Sequence, residues 1–158
     1  MPSVLVVDDE QDLRTIVRYS LEGEGFDVSL AANGPEALEC VAREVPDIMI
    51  LDIMMPGMDG FELLATLRQR GMAASTRVVI MTCRTSERDH LRGWELGADE
   101  YLTKPFEADV LAERLRRLLV STPEMLSSRR TAELEKAALL DRLESAMRRP
   151  RRLSGSPA

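Results

Sequence analysis

Five residues of this sequence pair a reactive side chain with one recurring position, the end of a short apolar run. Asp8 and Asp9 follow Val4 to Val7, Asp52 follows Ile48 to Leu51, Thr82 follows Val78 to Met81, and Lys104 follows Tyr101 to Thr103. Each alone would pass as a helix cap or a strand end. Together they make a distinct chemical set: three carboxylates, one hydroxyl and one ammonium. Packed carboxylates repel one another unless a cation neutralises them, and one lysine does not balance three. A hard divalent cation with oxygen ligands does. Magnesium suits the set better than calcium, because it takes few carboxylates together with waters and a phosphate, and the sequence has no EF-hand loop. An aspartate so placed can attack phosphorus and form an aspartyl phosphate. The Lys104 ammonium and the metal would hold phosphoryl oxygens, and the Thr82 hydroxyl would donate to another.

The elements that must position these groups are legible in the hydropathy pattern. The four runs, with Phe26 to Leu30 as a fifth, alternate with helical faces marked by Leu13, Ile16, Val17 and Leu21, by Ala37, Leu38 and Val41, by Phe61, Leu64 and Leu67, by Leu91, Trp94 and Leu96, and by Val110, Leu111, Leu115 and Leu118. Alternating strands and helices predict a parallel sheet of five strands. Ligands of such sheets bind beyond the carboxyl ends of the strands. Only the second strand ends there without a reactive group.

Composition bounds the rest. The chain has 158 residues, 44% of them hydrophobic and 30% charged, enough for one core and a short extension. A net charge of -6 argues against wholesale binding to nucleic acid or anionic lipid. That charge is uneven: 13 basic against 22 acidic residues precede Ser121, and 8 against 5 follow from it. No apolar run is long enough for a membrane span, and Met1-Pro2-Ser3-Val4 is not the start of a signal peptide, so a cytoplasmic location is expected. Two cysteines without a Cys-x-x-Cys, and a single histidine, exclude a zinc cage and a disulfide scaffold. Cys40 and Cys83 are expected to be buried, inert thiols.

Four segments carry a resemblance: Val4-Leu5-Val6-Val7-Asp8-Asp9-Glu10, Leu51-Asp52-Ile53-Met54-Met55-Pro56-Gly57-Met58-Asp59-Gly60, Met81-Thr82, and Gly97-Ala98-Asp99-Glu100-Tyr101-Leu102-Thr103-Lys104-Pro105-Phe106. In this order they closely resemble the receiver domain of bacterial two-component response regulators, over residues 1–120. The resemblance implies a flavodoxin-like, doubly wound α/β fold whose five-stranded parallel sheet has the order 2-1-3-4-5. It further implies that Asp52 is the phosphoacceptor, that Asp8, Asp9 and Asp52 hold Mg2+ with the backbone carbonyl of Met54, that Lys104 contacts the phosphoryl group, and that Thr82 and Tyr101 are the switch pair. The bond before Pro105 is commonly cis in this family. Cys83 departs from the small Ala or Gly usual after the switch threonine, and Met54 and Arg84 occupy positions where the family varies its side chains to set phosphoryl lifetime. The pattern is most similar to receivers of the winged-helix transcription-factor subfamily, which dimerise through the fourth helix, fifth strand and fifth helix. Glu100 and Arg114 are placed for one of its cross-dimer pairs. His90 and Val110, standing where a basic and an acidic partner are frequent, weaken that interface.

Residues 121–158 are too few for a winged-helix domain, so no direct contact with nucleic acid is expected. Thr122-Pro123-Glu124 reads as a helix start and Pro150 as a stop, dividing the chain into a receiver at 1–120, a helical extension or linker at 121–149 and a disordered tail at 150–158. Ala132, Leu139, Leu140, Leu143, Ala146 and Met147 form an apolar stripe interrupted by Lys136. It can pack back on the receiver, pair as a coiled coil, or continue as a linker towards a further domain. Arg148, Arg149, Arg151 and Arg152 read as a solvated end.

The function expected is a phosphorylation-activated switch, loaded on Asp52 by a histidine kinase or phosphotransfer protein, with no turnover of an external substrate. A homodimer through the fourth helix, fifth strand and fifth helix, or through the C-terminal helix, is the expected assembly. Two rivals stand beside this reading. A phosphatase of the haloacid-dehalogenase type also uses an aspartyl nucleophile and magnesium, but needs a second acid where Met54 stands. A docking adaptor has no need of Asp8, Asp9, Asp52, Thr82 and Lys104 together.

Overall fold

A computed structural model describes residues 1–83 and 86–148. Arg84, Pro150 and the tail expected to be disordered lie outside the described residues. The chain alternates β1 (Ser3–Val7), α1 (Gln11–Gly23), β2 (Asp27–Ala31), α2 (Gly34–Arg43), β3 (Ile48–Leu51), α3 (Gly60–Gln69), β4 (Arg77–Thr82), α4 (Glu87–Glu95), β5 (Glu100–Thr103) and α5 (Ala108–Val120), and then adds α6 (Pro123–Arg148). All neighbouring strands are parallel, in the order β2-β1-β3-β4-β5. This is the flavodoxin-like sheet that the resemblance implies.

Period-two alternation within the central strands distributes their side chains to both faces, and both are covered. Val4 and Val6 pack with Val17 and Leu21 of α1 and with Leu111, Leu115 and Leu118 of α5. Leu5, Val7, Met49 and Leu51 pack with Ala37 and Val41 of α2 and with Leu63, Leu64 and Leu67 of α3. A third cluster joins Ile53, Phe61, Ile80, Trp94 and Ala98 to Ala137 of α6, with Tyr101 and Leu134 at its margin. Helix starts follow local chemistry: Asn33, Asp59 and Ser86 accept backbone N–H bonds as N-caps of α2, α3 and α4, and the Thr122 hydroxyl accepts from Met125 N at 3.1 Å, just before Pro123.

α6 packs back along α4. Its inward face differs from the expected stripe. Leu126 and Ala137 are the buried residues and Leu134 is half-buried, while Leu139, Leu143 and Met147 are 57%, 53% and 86% exposed. The helix's rotation is fixed by charge as well as by apolar area: Arg129 pairs with Glu100 at 3.0 Å, and Arg130 pairs with Asp99. No helix among the described residues is long and apolar enough to cross a membrane.

Candidate functional site

Parallel register carries the ends of β1, β3, β4 and β5 to one edge of the sheet. Val7 is level with Leu51, Leu51 with Ile80, and Thr82 with Thr103, so the residues that follow the strands meet there. Asp8 and Thr82 are fully buried, Asp52 nearly so, and Asp9 is exposed. The Lys104 Nζ donates to Asp8 Oδ2 at 2.8 Å and to Asp52 Oδ2 at 2.7 Å, bridging the two buried carboxylates. Their other oxygens accept backbone N–H bonds, Asp8 Oδ1 from Glu10 at 2.9 Å and Asp52 Oδ1 from Met54 at 3.1 Å. Neither Asp8 nor Asp9 caps α1, whose N-cap is Glu10. Lys104 reaches the site across a cis bond to Pro105, and its own N–H donates to the Thr82 carbonyl at 2.9 Å.

Electrostatics follow from this packing. Burial pushes the Asp8 carboxyl above its ordinary value, although the hydrogen bond and charge of Lys104 pull it down and Asp52 adds repulsion. Burial by itself would lower Lys104, but its hydrogen bonds to Asp52 and Asp8 and their charges outweigh that and raise it. One ammonium is therefore shared between two buried carboxylates, with a third nearby. Ligand oxygens of Asp8, Asp9 and Asp52 lie within 4.8 Å of one another, a cluster that can hold a metal ion. A divalent cation there would balance the carboxylate charge that one lysine leaves uncompensated, so the donor set fits one.

The five residues singled out in the sequence are thus brought to one edge, and Tyr101 lies half-buried on β5, its ring 4.1 Å from that of His90. Other features were not foreseen. Arg14 donates to the Asp8 carbonyl at 2.6 Å, fastening α1 to the site; its only sequence signal is a basic residue one turn after an acidic cluster. Cys83 corrects the expectation of buried thiols, since it is exposed and its sulfur lies 3.7 Å from that of Met54, while Cys40 is half-buried. Cys83 stands one residue past the end of β4, where its side chain is on the open edge of the sheet rather than in its core. Glu100 and Arg114 pair within the chain, at 3.0 Å.

Comparison with known proteins agrees with this fold. The sequence model of the response regulator receiver domain family matches residues 4–116. The phosphate regulon transcriptional regulatory protein PhoB of Rhizobium meliloti is 40% identical over 129 residues, covering 81% of this chain and 57% of that protein. The sensory transduction protein RegX3 of Mycobacterium tuberculosis is 43% identical over 119 residues, covering 75% of this chain and 51% of that one. The chain spans about half the length of the curated relatives it matches. Among solved structures, the chemotaxis protein CheY4 of Vibrio cholerae superposes with a TM-score of 0.71 at 35% identity, covering 74% of this chain and 98% of that chain. The Francisella response regulator 1452 receiver domain gives a TM-score of 0.70 at 35% identity, covering 75% and 97%.

Proposed function

Because the chain belongs to the response regulator receiver family, we propose that it is a phosphorylation-activated signalling switch that accepts a phosphoryl group from a histidine kinase or phosphotransfer protein onto Asp52. The observation that carries this reading is the Lys104 bridge between Asp8 and Asp52, at 2.8 and 2.7 Å. It marks where a phosphoryl oxygen would find both an ammonium and the acidic cluster. A carboxylate oxygen of Asp52 forms the new P–O bond as the P–N bond to the donor's histidine breaks, and the imidazole keeps the electron pair. Lys104, released from Asp52, holds a phosphoryl oxygen, and the Thr82 hydroxyl at the end of β4 donates to another. Asp8, Asp9, Asp52 and the Met54 carbonyl are the ligands we assign to Mg2+. When bound, the ion screens the charge of nucleophile and phosphoryl group so that the two can approach.

In this reading residues 1–120 are the receiver and 121–149 a helical extension, the site is cytoplasmic, and the chain turns over no external substrate. Thr82 and Tyr101 form the switch: as the threonine moves towards the phosphoryl group, Tyr101 turns inward. An apolar cleft lined by Leu13, Ile16, Phe106 and Leu111 opens beside Lys104 and suits the docking of a donor.

Incubation with a small phosphodonor and magnesium tests the proposal. A stable, base-labile label on Asp52 that needs magnesium and is lost in Asp52→Asn is expected. Steady release of phosphate without stable label would favour the phosphatase, and absence of label the adaptor.

A further inference from the structure

α6 begins beyond residue 116, where the family match ends, and so lies outside the receiver match. It lies on the face formed by α4 and β5. Two acids of β5 and the turn before it, Asp99 and Glu100, are almost fully buried, and each is held from two sides. Asp99 accepts from the Val78 N–H at 2.9 Å and pairs with Arg130. Glu100 pairs with Arg114 of α5 at 3.0 Å and with Arg129 at 3.0 Å. In both cases one partner belongs to the receiver body and the other to α6. Lifting α6 would leave neither acid orphaned, so the contact can open without stranding a buried charge.

The apolar part of the contact leads back to the site. Ile53, which follows Asp52, shares one buried cluster with Ile80, Trp94 and Ala137 of α6, and Tyr101 and Leu134 pack at its edge. A bare glycine at Gly93 lets α4 lie close over Ile80 and Tyr101: a Cβ there would fall 2.8 Å from Ile80 Cδ1 and 3.2 Å from Tyr101 Cε2. Movement of Tyr101 therefore changes the surface against which Leu134 and Ala137 rest. The first turn of α6 is fixed independently, by the Thr122 cap and by Leu126, which enters the core between the sheet and α5. One end is anchored and the remainder is held by contacts that have alternatives.

We propose that α6 is an intramolecular occupant of the α4–β5 face, clasped there by Arg129 and Arg130 on Glu100 and Asp99, and that phosphorylation of Asp52 loosens it and bares that face. This rests on the phosphoacceptor reading above, and adds to it the element through which the switch is read. Spatial continuity alone does not establish coupling; a two-state element biased from both ends does.

Hydrogen exchange of the full chain measures the clasp directly, and Trp94, the single tryptophan and 4% exposed beneath α6, reports it by fluorescence. In the unphosphorylated protein, amides of residues 130–148 are expected to be protected. Arg129→Glu with Arg130→Glu is expected to speed their exchange on the order of tenfold and shift Trp94 emission to the red. Arg142→Glu, on the exposed side of the same helix, is expected to do neither. Phosphoramidate with magnesium transfers its phosphoryl group to Asp52 as its P–N bond breaks and ammonia leaves, and should reproduce the double variant's change in the wild type but not in Asp52→Asn. Unprotected α6 in the resting protein, or equal loosening by Arg142→Glu, would overturn the clasp. Label on Asp52 with unchanged exchange would overturn the coupling alone. Failure to label Asp52 would overturn the phosphoacceptor reading, and the coupling with it.

Discussion

Asp8 is fully buried at the end of β1 and shares one ammonium with Asp52, and burial lifts its carboxyl above the ordinary value of 3.8. In the absence of divalent cation the native state therefore holds this proton more tightly than the unfolded chain does. Its contribution to stability is present at low pH and is lost as pH rises through the elevated native value. Asp8→Asn removes the charge, so the variant is expected to be more stable than wild type at neutral pH, with an advantage that shrinks in mildly acid buffer. Urea unfolding with a chelator at both pH values measures this, and an advantage that grows on acidification would refute the sign. Lys104 carries the complementary case, since its raised value means that it remains charged across the neutral range. Lys104→Met leaves two buried carboxylates facing each other and is expected to lose about 3 kcal/mol of stability. Magnesium should restore much of that loss, because the cation supplies the charge that the side chain no longer does. Unfolding curves with chelator and with magnesium separate a lost charge from lost packing.

At the scale of elements, the loop from β3 to α3 holds Asp52 in place through a backbone approach that only glycine permits. A Cβ on Gly60 would lie 2.3 Å from the Asp52 carbonyl oxygen and 2.8 Å from Ile53 Cα, atoms of backbone that cannot swing aside. Gly60→Ala is expected to cost about 1–3 kcal/mol and to slow labelling of Asp52, read by melting and by phosphodonor kinetics. The elements themselves were legible because each central strand is buried on both faces and so reads as an unbroken apolar run. Their ends were less so. The second strand runs from Asp27 to Ala31, one residue later than its apolar run, since Phe26 packs inward from the turn before it. The grouping of Asp8, Asp9, Asp52, Thr82 and Lys104 was legible for a topological reason: residues following parallel strands share one edge. The seating of α6 was not. Its inward face was chosen by Arg129 and Arg130 meeting acids about thirty positions earlier in the chain, a pairing no periodicity encodes.

Across the whole molecule, the acidic receiver and the basic extension attract, and the structure satisfies that attraction within one chain through Arg129 and Arg130, to which Arg88 of α4 and Asp141 of α6 add a pair of the opposite polarity at 3.8 Å. With α6 seated, the α4–β5 face is covered. What stays uncovered is the outer face of α6, where Leu139, Leu143 and Met147 recur at the spacing of one helical stripe and remain more than half exposed. Each such side chain gains about 1.5–3 kcal/mol when fully buried, so two copies pairing along this stripe would bury a surface that one copy cannot. Pairing of this kind needs no displacement of Arg129 or Arg130, which lie more than two turns before Leu139 along the helix. We therefore expect the full chain to self-associate through α6 even when Asp52 is unmodified, and Leu139→Ser with Leu143→Ser to dissociate it while leaving α6 protected against the receiver. Sedimentation velocity of both proteins, with and without phosphodonor, decides the matter. A wild type that sediments as a monomer in both states would remove the stripe as an interface, whereas a mass that doubles only on phosphorylation would place pairing on the face α6 uncovers.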